Sequence, residues 1–138
     1  MKAFIDTSSL IKRYIEEGNY TELDDYLESA SELIISPITT LEFHSIIERK
    51  LRDKSMSPKE AQFLEQQFKI DLNYIGIVQW NSHIESAAQK LIRSHQLKAL
   101  DAIQLAAGKL SGVDLFITSD KKLFLSAEKE IIHTVYIG

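Results

Sequence analysis

Hydrophobic positions along the chain alternate between two patterns. Short continuous apolar runs occur at Ala3-Phe4-Ile5, Leu33-Ile34-Ile35, Ile75-Gly76-Ile77-Val78, Leu115-Phe116-Ile117 and Ile131-Ile132. Runs this short, without apolar/polar alternation, predict strands buried on both faces of a sheet. Between them apolar residues recur every three or four positions. Thr21 predicts a helix cap ahead of Leu23, Tyr26, Leu27 and Ala30. Ser57-Pro58-Lys59-Glu60 combines a capping serine, a proline at the first helical position and a glutamate able to bond back, ahead of Ala61, Leu64 and Phe68. Ser82 and Glu85 repeat the device ahead of Ile84, Ala87, Ala88, Leu91 and Ile92. The spacing predicts further helices over about 7–16, 38–52, 101–110 and 121–128. No Asn-Gly or Asp-Gly lies between apolar runs to signal a hairpin. Strands alternating with helices therefore predict a three-layer α/β domain, with a central, mostly parallel sheet of about five short strands flanked by helices.

Composition narrows this picture. The 138 residues include five glycines, two prolines and no cysteine, and show no repeat or linker-like tract, so one domain is expected over residues 1–138. Without cysteine there is no disulfide, thiol nucleophile, iron–sulfur cluster or Cys-based zinc site, and a cytoplasmic location is expected. No apolar run is long enough for a membrane span or a signal-peptide core. Sixteen Lys plus Arg against twenty Asp plus Glu give a net charge of −4, which argues against coating nucleic acid by bulk charge. Contact with a short stretch of nucleic acid remains compatible with that charge.

In parallel sheets, sites form outside the carboxyl ends of the strands. Four acids occupy such places: Asp6 after Ala3-Phe4-Ile5, Glu42 after Leu33-Ile34-Ile35, Asp101 within Ala99-Leu100-Asp101-Ala102-Ile103, and Asp120 after Phe116-Ile117-Thr118-Ser119. Singly, each reads as a helix cap or first-turn acid, and Thr39 with Glu42 and Asp101 with Gln104 have the spacing of capping boxes. Jointly they imply crowding. Two unit charges 4 Å apart repel by about 4 kcal/mol at an effective dielectric of 20, so several gathered carboxylates require a cation or a proton. An oxygen-only ligand set favours Mg²⁺ or Mn²⁺, a shell suited to phosphodiester hydrolysis.

The runs Phe4-Ile5-Asp6-Thr7-Ser8, Thr39-Thr40-Leu41-Glu42, Ala99-Leu100-Asp101-Ala102-Ile103-Gln104-Leu105-Ala106 and Phe116-Ile117-Thr118-Ser119-Asp120, in this order and spacing, resemble the PIN-domain ribonucleases. Among these the chain is most similar to the VapC-type toxins of toxin–antitoxin pairs. The resemblance implies an endoribonuclease with Asp6, Glu42, Asp101 and Asp120 around Mg²⁺ or Mn²⁺. Asp6 and Asp101 are the first metal ligands it implies, and Glu42 and Asp120 complete the shell directly or through water. Thr7, Ser8 and Thr118 are expected to orient the carboxylates by hydrogen bonds. An antitoxin partner and a homodimer are further implications. Some relatives carry another acid just after the last motif, where this chain has Lys121 and Lys122, which argues against a second tightly held metal.

Lys12, Arg13, Lys121 and Lys122 follow acids of the set in sequence and are expected to form a phosphate-binding rim. The stretch Arg49-Lys50-Leu51-Arg52-Asp53-Lys54 reads instead as a solvated helix end. Histidines 44, 83, 95 and 133 lack metal-ligand spacing, and Phe63, Phe68, Tyr74 and Trp80 read as core. The alternative to the nuclease is a non-catalytic PIN-like module that binds RNA or protein and uses its acids only as caps. An aspartyl-phosphate phosphatase is disfavoured because the usual second aspartate is absent from Asp6-Thr7-Ser8.

Overall fold

A computed structural model describes residues 1–138. In chain order the elements are β1 (Lys2–Ile5), α1 (Thr7–Ile15), α2 (Tyr20–Ser29), β2 (Glu32–Ile35), α3 (Thr39–Arg52), α4 (Pro58–Asp71), β3 (Gly76–Ile77), α5 (Ser82–His95), α6 (Ala99–Leu110), β4 (Leu115–Thr118), α7 (Lys121–Ala127) and β5 (Thr134–Tyr136). The five strands form one sheet in the order β3-β2-β1-β4-β5, and every pairing is parallel. The α/β layering expected from the apolar pattern is therefore observed.

The pleat divides the strand side chains between two cores. Ala3, Ile5, Ile35, Leu115 and Ile117 point to one face, where Leu10 and Ile11 of α1, Leu23 of α2, Phe43 and Ile47 of α3 and Phe68 of α4 cover them. Phe4, Ile34 and Phe116 point to the other, beneath Ile84 and Leu91 of α5, Leu105 of α6 and Leu123 of α7. Burial on both faces is why these strands read as unbroken apolar runs. The rings of Phe4 and Phe116 stack with centroids 5.2 Å apart. Helix α6 lies so close over them that a Cβ on Gly108 would come within 2.7 Å of the Phe116 ring. No helix is long and apolar enough to cross a membrane.

Four local expectations are corrected. The last strand is Thr134–Tyr136, not Ile131-Ile132: Ile131 packs into the second core while Ile132 is 94% exposed. Helix α2 begins at Tyr20 behind Asn19, so Thr21 lies inside it. Asn81 rather than Ser82 caps α5, accepting the Ile84 N–H at 3.0 Å. Of the four aromatics read as core, only Phe68 is buried, whereas Phe63, Tyr74 and Trp80 are exposed.

Candidate active site

Strand order reverses at β1, whose chain leaves toward β2 on one side and whose other neighbour is β4. This is the point where a parallel sheet opens a crevice at its carboxyl edge. The crevice is a cleft of about 480 Å³ whose walls include Asp6, Glu42, Asp101 and Asp120, each from a different element.

Asp6 follows β1, its N–H held by the Ile117 carbonyl at 2.9 Å. It stands at the N-cap position of α1, yet its side chain makes no cap hydrogen bond. Instead Oδ2 accepts the Ser8 hydroxyl at 2.6 Å and the Thr118 hydroxyl at 2.9 Å. Burial pushes the Asp6 carboxyl up to about 6, partly offset by those two hydroxyls and reinforced by the charges of Glu42 and Asp101. Thr118 also accepts the Asp120 N–H at 3.1 Å, and Ser8 accepts the Ser119 N–H at 3.0 Å, which ties the loop after β4 to the start of α1.

Glu42 lies in the first turn of α3 but bonds across the molecule rather than back to its own helix. Its Oε1 accepts the Thr7 hydroxyl at 2.7 Å and the Gln104 amide at 2.6 Å. Asp101 is the third residue of α6, not its cap, and neither of its oxygens accepts a protein hydrogen bond. Burial raises its carboxyl, as do Asp120 and Glu42, while Lys98 and Lys122 act in the opposite direction. Asp120 alone of the four is a true cap, accepting the Leu123 N–H at 3.0 Å through Oδ1. Capping therefore accounts for one acid of the four.

None of the four carboxylates forms an ion pair with a side chain. Asp6 Oδ1, Glu42 Oε2, both oxygens of Asp101 and Asp120 Oδ2 accept no hydrogen bond from protein. The donor set is thus oxygen-only, with free oxygens and no fixed countercharge, as a hard divalent cation requires. No three acids converge into a ready-made cage. Mg²⁺ is ordinarily held by one or two carboxylates, with water and substrate phosphate filling its remaining positions.

The basic residues fall differently from the sequence expectation. The Lys12 amine lies against Gly18, and Arg13 pairs with Asp24 at 3.2 Å, so neither lines the cleft. Lys121 is exposed outside it, and Lys122 donates to the Gln96 carbonyl at 3.2 Å while its charge still reaches Asp101. Arg49, placed in a solvated helix end, lines the cleft with Glu42, Ser45 and Ile46. Those four positions share one face of α3 at i, i+3, i+4 and i+7, a signal present in the sequence. Lys98, at the N-cap of α6, is a second cation close to Asp101 that was not singled out.

Comparison with known proteins agrees with this architecture. Residues 3–129 match the family model described as PIN domain. A toxin-antitoxin complex from Klebsiella pneumoniae contains a chain similar to this one, at 25% identity over 88% of this chain and 89% of that one, with a TM-score of 0.67. VapBC2 from Rickettsia felis, bound to a promoter DNA fragment, is similar over all of both chains at 14% identity and a TM-score of 0.72. FitAcB from Neisseria gonorrhoeae is similar over 97% of this chain and 96% of that chain, at 15% identity and a TM-score of 0.69. A search of curated protein sequences gave no match. With a family model covering nearly the whole sequence, the chain belongs to the PIN domain family.

Proposed function

We propose that this chain is a Mg²⁺- or Mn²⁺-dependent endoribonuclease and the toxin component of a toxin–antitoxin pair. The observation that carries the reading is the group of four unpaired carboxylates around one cleft, three of which are not helix caps. A fold leaves acids in this arrangement at an electrostatic cost, and a divalent cation removes that cost. Family membership supports nuclease chemistry, and the similarity to chains of toxin–antitoxin and VapBC assemblies supports the toxin role.

In this reading Asp6 and Asp101 hold the ion, and Glu42 and Asp120 complete its surroundings directly or through water. When bound, the ion polarises the scissile phosphate and lowers the pKa of a coordinated water. Ser8 and Thr118 hold Oδ2 of the Asp6 carboxylate and leave Oδ1 without a protein donor, and Thr7 holds Oε1 of Glu42 and leaves Oε2 free in the same way. Arg49, Lys98 and Lys122 supply positive charge for the RNA backbone at the rim, in place of Lys12 and Arg13. An antitoxin that covers the cleft and a homodimer belong to the same reading.

Incubation of purified protein with a defined RNA panel, with Mg²⁺, Mn²⁺ or chelator, tests it. Cleavage that requires the metal and falls about 100-fold or more in a folded Asp101→Asn variant is expected, since even residues supporting a metal ligand are worth about 10- to 100-fold. Undiminished metal-dependent cleavage by Asp101→Asn would overturn the site assignment. Light scattering checks the dimer, and copurification with the product of an adjacent small gene checks the antitoxin.

A further inference from the structure

Gln104 sits one turn beyond Asp101 on α6 and is 1% exposed. Its Nε2 lies 2.6 Å from Glu42 Oε1, 3.0 Å from Thr7 Oγ1 and 3.3 Å from Thr39 Oγ1. A primary amide has only two N–H protons, and the two shorter contacts take them. Thr7 passes its own hydroxyl proton to Glu42 Oε1 at 2.7 Å, while Thr39 has Ser36 at 3.2 Å as a second partner. One oxygen of Glu42 thus receives two donors, from α1 and α6, and these donors are themselves bonded. The other oxygen receives none.

The orientation of the amide is the informative feature. Gln104 Oε1 is the only buried side-chain polar atom without a hydrogen-bond partner. Turned over, the amide would offer that oxygen to the Thr7 and Thr39 hydroxyls, and its two N–H groups would take the place where the oxygen now finds no partner. It would then also hold a carbonyl oxygen 2.6 Å from a carboxylate oxygen, with no proton between them. A charge-assisted N–H···O⁻ bond outweighs neutral hydroxyl bonds, so the carboxylate of Glu42 dictates the orientation. A residue chosen only to fill the core would not carry an unpaired acceptor, because an apolar side chain of the same length fills the space without one.

We infer that Gln104 is a positioning residue, which clamps one oxygen of Glu42 so that the other is presented to the divalent cation of the cleft. The inference rests on the metal-dependent reading above. The full-length chain is titrated with Mn²⁺ in a calorimeter as wild type, Gln104→Met, Gln104→Asn, Glu42→Gln and the Glu42→Gln/Gln104→Met double variant. Far-UV circular dichroism and thermal melts establish folding. Folded Gln104→Met should bind Mn²⁺ about 10- to 100-fold more weakly than wild type. Gln104→Asn, whose shorter arm withdraws the amide from Glu42, should show the same loss and decides the matter if the methionine variant does not fold. Added to Glu42→Gln, Gln104→Met should cause no further weakening, because the clamp acts through Glu42 alone. Wild-type Mn²⁺ affinity in a folded Gln104 variant, or the full loss repeated on the Glu42→Gln background, overturns this inference and leaves the metal reading standing. A wild-type chain that binds no Mn²⁺ overturns both.

Discussion

Neutralising Asp6 should stabilise the folded chain, and only where the carboxyl would otherwise be charged. Burial raises this group from an ordinary 3.8 to about 6. At about 1.4 kcal/mol per pH unit, the ionised form weighs against the fold by about 3 kcal/mol. Between these two values the folded chain binds more protons than the unfolded one. The contribution of Asp6 to stability is therefore fully present below 3.8 and is lost as pH rises through about 6. Asp6→Asn keeps the shape and keeps an amide oxygen to accept from Ser8 and Thr118, but carries no charge at any pH. Urea unfolding in chelator should show Asp6→Asn more stable than wild type by about 3 kcal/mol near pH 7.5, a rise in melting temperature of about 10 °C. The gap should shrink toward zero near pH 4. Glu130 and Asp53, whose carboxyls are held below the usual range chiefly by His95 and Ser55, titrate alike in both proteins and cancel from the difference. Mn²⁺ at about 100 times its dissociation constant should return about 2.7 kcal/mol to wild type and little to the variant. A variant less stable than wild type at neutral pH, or a gap of equal size at both pH values, would refute the reasoning.

Three other substitutions probe separate parts of the structure. Thr118→Val removes a hydroxyl that donates to Asp6 and accepts from the Asp120 N–H, so it should raise the Asp6 carboxyl further, measurable by carboxyl NMR titration. Denaturant melts should show Gly108→Ala destabilised by about 1–3 kcal/mol, because the new methyl meets the Phe116 ring at 2.7 Å and Phe4 at 3.3 Å. Arg49→Ala should raise KM for RNA with kcat little changed, and should flatten the slope of log affinity against log salt by about 0.7, the share of one phosphate contact on a single strand.

The fold was legible where burial is two-sided. Phe4 and Phe116 face one core while Ile5 and Ile117 face the other, so no polar position interrupts these strands. The same criterion failed at the last strand, because an apolar run reports burial rather than pairing. Ile131 is buried beneath the helices of the second face without belonging to the sheet, and the edge strand that does pair, Thr134–Tyr136, is only partly buried. The helix caps were missed by one residue at α5 and by two at α2 for a simpler reason. Asn and Ser or Thr within one or two positions of each other are all good caps, and the tertiary entry angle of the chain chooses between them.

The acids of the cleft were legible because a parallel sheet carries the residues after its strands to one edge. The cations were not, because sequence adjacency to an acid says nothing of direction. Lys12 and Arg13 lie six and seven residues beyond Asp6 on a helix that rises about 1.5 Å per residue, which carries them about 10 Å from the sheet edge. Arg49 lies equally far along α3 from Glu42, yet α3 runs beside the cleft and returns the same face to it after two turns. Gln104 was placed in a capping box with Asp101, and nothing local distinguishes that from its real partners, Thr7 and Glu42, which are 97 and 62 residues away in the chain. Capping and ligation read from the sequence as rivals, but the geometry of Asp120 leaves room for both. A cap occupies one carboxylate oxygen, here Oδ1 on the Leu123 N–H, and in doing so restricts the rotamer while the second oxygen stays without a protein donor. The helix that an acid begins can therefore be what aims it.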